Sequence, residues 1–441
     1  MASTTEIKQH WQLSFGRLAI ANIISNLMVP LAGLIDTAFL GHLADIHHLA
    51  GVALATVLFN CIYWSCGFLR MGTTGLMAQA AGRNNSTEQW QVGLRALLVA
   101  FVLGIVILIA QYPLRVAGFA ILQADADVLD AGTAFYQGRI LGAPAVLMNY
   151  GLLGWFLGLG RGRWVMALAV IGNGTNILLD YLMIVRWGWE SYGAGLATAL
   201  SQYTMLSVGA VLLWRMVPWK QVWQQWHSLF NRGALATLFR LNRNLMMRTW
   251  ALLISFGLFT TLSGIMGTEI LSVNTLLLQS LMLVSYFLDG IAFATESYAG
   301  KFYGQGQTSQ LRTLVILGSG FSISLGLSIA IAFIALPDQL FGLLTDHQTI
   351  LNQLHHYVFW LLPLFGFGAI SFMLDGYFLG LSAGHILRNS TIFATGLGFL
   401  PLALMAYLFQ QPNLLWLAMT CFMFTRALTL ACAVPASLTQ Q

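Results

Sequence analysis

The sequence predicts an all-α polytopic membrane protein, with twelve transmembrane helices arranged as two parallel-repeat six-helix bundles. Three observations lead there. Of 441 residues, 58% are apolar and 8% charged, whereas a soluble chain needs roughly a quarter charged to cover its surface. Apolar runs long enough to cross a hydrocarbon layer, about 20 residues each, recur along the whole chain. The chain also matches itself at an offset of 222 residues.

Taken in order, the expected spans are 15–40, 48–69, 92–112, 134–159, 164–185, 193–214, 249–268, 270–298, 311–335, 351–381, 390–409 and 413–434. The polar N-terminus runs directly into the first span, which is longer than a signal-peptide core and is expected to be retained. Between spans six and seven, Trp219, Trp223 and Trp226 alternate with Lys220, Arg232, Arg240 and Arg243, the composition of an interfacial connector. The expected domains are therefore an N-terminal lobe over 1–215, a cytoplasmic or interfacial connector over 216–247, and a C-terminal lobe over 248–441.

Loops kept in the cytoplasm carry the Lys and Arg excess. The N-terminus and the even-numbered turns hold Lys8, Arg17, Arg83, Arg95, Arg161, Arg163, Arg215, Lys301 and Arg388, while the opposite loops hold little beyond Arg115, Arg139 and Arg186. Those opposite loops carry acids instead: Asp45, Asp125, Asp127, Asp130, Glu190, Glu269, Asp338 and Asp346. Both termini are expected on the cytoplasmic side of a cell (inner) membrane. The net charge of +5 is thus a topology signal, and no nucleic-acid partner is expected.

At the 222-residue offset, LLGWFLGLGRG (152–162) falls on LDGYFLGLSAG (374–384) with seven of eleven positions identical. The matched glycines permit close helix approach or a tight helix end. An offset of six helices preserves the inside-outside sense, so the halves are parallel repeats. Two such bundles can rock about a midplane site, which is a transporter's architecture.

Five acids fall within spans: Asp36, Asp180, Asp289, Glu296 and Asp375. A carboxylate at the bilayer centre costs about 2.5–3.5 kcal/mol even on insertion scales, so each must face a cavity or a partner. Asp36 and Asp180 fall in the outer half of the first lobe; Asp289, Glu296 and Asp375 fall in the inner half of the second. Asn173, Asn176 and Asp180 form a polar stripe at helical spacing, and the return of the next helix brings Thr198 to the same depth. Asp36, Asn176, Asp180 and Thr198 are accordingly the candidate cation- or proton-binding set. Pro30 cannot donate to the helical ladder and is expected to bend the first helix beside Asp36. The second-lobe acids are secondary candidates.

The remaining chemistry is sparse. Cys61, Cys66, Cys421 and Cys432 read as small core residues, and His47, His48, His355 and His356 as interfacial ones. No HExxH or metal-spaced cluster occurs, and no catalytic residue, metal or cofactor is expected.

The stretches LIDTAFLGHL (34–43), NGTNILLD (173–180), LDGIAFATESYAGKFYG (288–304) and LDGYFLGLSAG (374–384) resemble the multidrug and toxic compound extrusion (MATE) family, more narrowly its DNA-damage-inducible-F subfamily. The resemblance covers essentially the whole chain. It implies export of small organic cations or amphipathic drugs across the lipid bilayer in exchange for protons or sodium, and it implies an ion site at Asp36, Asn176, Asp180 and Thr198. Leu258 stands at the repeat equivalent of Asp36, which argues against a purely second-lobe sodium site. Proton coupling in a monomer is the reading favoured; a sodium-coupled exporter or a lipid-linked precursor flippase is the alternative. Few intramembrane Arg or Lys stand out to favour the flippase.

Overall fold

The computed structural model describes residues 4–41, 45–121, 125–345 and 347–439, with only the backbone described for 4–10. Asp346, the His42–Leu43 end of the first motif and the side chain of Lys8 lie outside that description. Among the described residues the chain is helical throughout, with no strand. Eleven helices are long and apolar enough to cross a membrane, and a twelfth span is made of two helices bent by 53°. Residues such as Val106, Ile316, Leu397 and Leu404 are exposed, as expected where hydrocarbon is the solvent.

The spans are α1 (Thr4–Gly41), α2 (His47–Gly82), α3 (Ser86–Ile109), α4 (Ala126–Ile140 with Ala143–Gly158), α5 (Gly162–Arg186) and α6 (Glu190–Met216). The others are α7 (Arg232–Ile265), α8 (Thr268–Gly304), α9 (Thr308–Ala335), α10 (Val358–Gly380), α11 (Gly384–Phe409) and α12 (Pro412–Thr439). Their order matches the twelve expected spans. The bend in α4 precedes Pro144, which opens the second helix of the pair; proline disfavours helical backbone at the residue before it.

The chain separates into two compact units, 24–239 and 1–23 with 240–441. Two expected boundaries therefore move. The start of α1 groups with the second unit, and the expected connector 216–247 divides. Only Trp219–Gln224 and the 3₁₀ turn Trp226–Phe230 are a true connector, because α7 already begins at Arg232. Arg95 of α3 anchors that connector. It is buried and donates to the Ser228 carbonyl at 2.6 Å and the Leu229 carbonyl at 3.0 Å.

The repeat is visible atom by atom. A methyl group added at Gly154 would lie 2.7 Å from the Arg70 carbonyl oxygen, and one at Gly376 would lie 2.2 Å from that of Ala292. One turn on, a methyl group added at Gly158 would lie 2.7 Å from the Thr74 carbonyl oxygen, and one at Gly380 would run into that of Glu296. Every one of these pairs is separated by 222 residues, so α2 with α4 and α8 with α10 pack in the same register. Only glycine permits such backbone contact.

The turns repeat as well. Left-handed residues occur at Asn84 and Gly306, Gly160 and Ser382, and Gly188 and Gln410, each pair again 222 apart. After α4, Gly160 N donates to Leu157 O and Arg161 N to Phe156 O; after α10, Ser382 N donates to Leu379 O and Ala383 N to Phe378 O. This is one Schellman cap used twice.

Cys61 and Cys432 are exposed on their helices, which corrects the expectation that they are core residues. His48 reaches across to the start of α6, 2.9 Å from Ser191 Oγ and 3.0 Å from Glu190, and His355 meets Asp338 at 2.9 Å. These histidines hold helix ends.

Candidate cation-binding site

In the first unit the expected acids meet. The Asp36 and Asp180 side chains are within hydrogen-bonding reach of each other. Asp180 is fully buried and Asn176 almost so. One turn before Asp180, Asn176 Nδ2 donates to its Oδ2 at 2.7 Å. Asp36 Oδ1 and Asp180 Oδ1 are buried without a hydrogen-bond partner among the described residues. Buried polar atoms are almost always satisfied, so these two bare carboxyl oxygens make the pair the candidate site.

Local backbone chemistry helps to aim these groups. Immediately after Asp180 the α-helix widens into a π-helix over Tyr181–Arg186, an insertion that is rare and clusters at functional sites. Tyr181 of this segment lies against Phe39 of α1, ring centroids 6.4 Å apart. Pro30 lies inside α1 as expected. It removes one hydrogen bond from the helix that carries Asp36.

Thr198 and Asn173 do not join the pair. Thr198 Oγ1 donates to Ala194 O at 3.0 Å and Asn173 Nδ2 to Ala169 O at 2.8 Å, each bond lying within its own helix. Of the four expected groups, contacts are seen among Asp36, Asn176 and Asp180.

The second-unit acids have different surroundings. Asp375 is buried, and its Oδ2 accepts from Nη2 of both Arg248 and Arg426. Asp289 acts on Arg426 through space. Glu296 is fully buried, and its backbone carbonyl forms the floor beneath Gly380. Asp375 therefore already holds two fixed cations, whereas among the described residues no ion pair joins Asp36 or Asp180 to one.

Three cations escaped the sequence reading. Arg139 was assigned to an outer loop, yet its guanidinium lies 4.7 Å from the Phe59 ring centroid and 5.5 Å from that of Phe135. Arg426 and Arg248 lie buried in helices. The available signal was position: Arg139 and Arg426 fall inside the expected spans 134–159 and 413–434, where any charge needs a reason.

Comparison with known proteins agrees with this picture. The profile of the MatE family matches residues 21–182 and again 245–405, one match per half at nearly the repeat offset. DNA damage-inducible protein F of Escherichia coli K12 is 33% identical over 414 residues, covering 94% of this chain and 90% of that protein. A probable multidrug resistance protein NorM of Synechocystis is 26% identical, covering 76% and 75%. Among solved structures, an outward-facing multidrug resistance MATE family transporter has the same fold, with a TM-score of 0.85 at 21% identity over 97% of this chain and 95% of that one.

Proposed function

This chain belongs to the MatE family of multidrug efflux transporters, and on that premise we propose that it is a proton-coupled antiporter exporting cationic or amphipathic organic compounds by alternating access. The observation that carries the coupling assignment is the Asp36–Asp180 pair, Asp180 fully buried and Asp36 half-buried, each with one buried oxygen that has no hydrogen-bond partner among the described residues and neither in an ion pair with a fixed cation there. Two carboxylates in hydrogen-bonding contact cannot comfortably both be charged in a low-dielectric interior. They titrate as a unit. A proton arriving from outside removes one charge and lets that carboxyl donate a hydrogen bond, which alters the preferred packing of α1 at Pro30. Substrate requires the deprotonated pair, so competition for the pair couples the two fluxes.

Asn176 positions Asp180 in this scheme, and Thr198 lines the approach. Asp289, Glu296 and Asp375 support the second unit. The proposed location is the cytoplasmic membrane with both termini inside, where loop charge supports that orientation.

The test is efflux from reconstituted vesicles loaded with ethidium, a fluorescent organic cation, under a proton gradient or a sodium gradient imposed separately. Export driven by protons alone is expected. Export driven only by sodium would replace the proton as coupling ion, and flipping of a lipid-linked precursor without gradient-driven ethidium export would replace the antiport reading.

A further inference from the structure

Polar side chains tie α7 to its neighbours at four levels. Asn244 Oδ1 accepts from Nη1 of Arg388 on α11 at 2.9 Å. One turn on, Arg248 donates to Asp375 Oδ2 of α10, an oxygen that also accepts from Arg426 of α12. Ser255 Oγ meets Thr395 Oγ1 of α11 at 3.0 Å. Near the far end, Ser263 Oγ accepts from Asn274 Nδ2 of α8 at 2.8 Å, and Asn274 Oδ1 accepts in turn from Trp416 Nε1 of α12 at 2.9 Å. Ser255 and Ser263 are fully buried, and Asn244, Arg248, Asn274 and Asp375 are buried with them. From Asn244 to Ser263 the helix rises about 28 Å at 1.5 Å per residue, close to the ~30 Å of a hydrocarbon core. The ties therefore hold α7 through almost the whole membrane thickness, where no bulk water competes for the bonds.

The repeat shows that these ties belong to one half only. At the 222-residue offset, Asn244 and Arg388 correspond to Asn22 and Met166, and Arg248 and Asp375 to Asn26 and Leu153. Ser255 and Thr395 correspond to Gly33 and Asn173, and Ser263 and Asn274 to Gly41 and Val52. No pair keeps both polar side chains, so the same tie cannot form at any of the four levels of α1. Asn22 shows the consequence. It is fully buried, and among the described residues neither atom of its amide has a hydrogen-bond partner, a condition that buried amides rarely accept. α1 also has Pro30 where α7 has Leu252. It meets α5 through Asp36 and Asp180, a joint whose hydrogen bonding changes with each proton gained or lost.

We propose that α7 is a static strut, which keeps its packing on α8, α10 and α11 throughout the transport cycle while its repeat counterpart α1 repacks. This rests on the alternating-access reading above and adds to it a division of movement between the halves. Sliding α7 past its neighbours would break several buried hydrogen bonds at once, with no water at hand to replace them. α1 needs only a change of protonation at one joint.

The test is covalent. In full-length protein whose native cysteines Cys61, Cys66, Cys421 and Cys432 are replaced by alanine, Ser255→Cys with Thr395→Cys puts two thiols where the hydroxyls meet, and oxidation joins α7 to α11. Ser263→Cys with Asn274→Cys joins α7 to α8 near the other end of the helix. Ethidium export from vesicles under a proton gradient is read for each protein after oxidation and again after reduction. Each oxidised protein is expected to export at its own reduced rate. Export lost on oxidation and restored on reduction, in either pair, would overturn the static strut and leave the antiport reading intact. Absence of proton-driven export from wild type would overturn the antiport reading and this inference with it. If one pair does not fold, the other decides by the same outcomes.

Discussion

Replacing Asp375 by Asn and replacing Asp36 by Asn should have opposite consequences, although both remove one buried carboxylate. Asp375 Oδ2 is the shared acceptor for Arg248 and Arg426; Arg426 is almost fully inaccessible, and Arg248 is buried. An amide there leaves two buried cations without their counter-charge, and breaking a buried pair costs about 3–5 kcal/mol. Asp36 stands in the reverse situation. Two charges about 3 Å apart repel by roughly 5 kcal/mol at an effective dielectric of 20, so the amide removes a repulsion or replaces an already neutral acid. Its expected effect on stability is within about 1 kcal/mol, the usual scale of a near-isosteric change. Unfolding in mixed micelles measures the first quantity, and gradient-driven ethidium efflux from vesicles measures the second. Asp375→Asn should lose stability yet transport in its folded fraction; Asp36→Asn should fold normally and not transport. Normal transport with unchanged pH dependence in folded Asp36→Asn, or complete loss in folded Asp375→Asn, would refute the division of labour between the halves.

Other outcomes follow from the packing. Gly376→Leu should prevent stable folding or cost at least the 1–3 kcal/mol of an overpacked core, because even its Cβ would sit 2.2 Å from the Ala292 carbonyl oxygen; unfolding of purified protein checks this. Gly160→Ala meets no atom within 4 Å but sits at φ +68°, so the cost is backbone strain alone, about 1 kcal/mol, whereas Ser382→Ala at the matching turn should change stability little. Arg95→Ala should release the connector from α3, lowering stability by about 1.5–3 kcal/mol for a charged donor's hydrogen bonds and raising the rate of protease cleavage between residues 219 and 231 relative to wild type.

Much of this molecule could be read from the chain because lipid imposes a blunt rule: an apolar run of sufficient length must be a helix. The twelve spans, the parallel repeat and the pairing of Asn176 with Asp180 all follow from period and spacing. The connector was misjudged because the first turns of α7, around Arg240 and Arg243, are helical and polar together, and hydropathy cannot separate such a segment from a loop. Thr198 was expected beside Asp180 on depth alone, and depth does not fix which way a hydroxyl points; its own helix offers the Ala194 carbonyl. Arg139 was missed because a basic residue near the end of a span looks like a loop residue until its aromatic neighbours are known. The same holds for Arg248 and Arg426, whose partner Asp375 lies 127 and 51 residues away in the chain.

The three matched turns make the halves interchangeable at defined joints. Residues 162–187 lie between Gly160 and Gly188, and residues 384–409 between Ser382 and Gln410, with left-handed backbone at all four flanking positions. A chimaera carrying 384–409 in place of 162–187 would keep both joints in their native geometry. It would remove Asn176 and Asp180 along with the π-turn that follows them, since the incoming helix has its own π-segment at Ala394–Phe399. Such a cassette exchange asks of a whole helix what a point mutation asks of one carboxyl group, and it does so with a segment already shaped to lie between two caps of this kind.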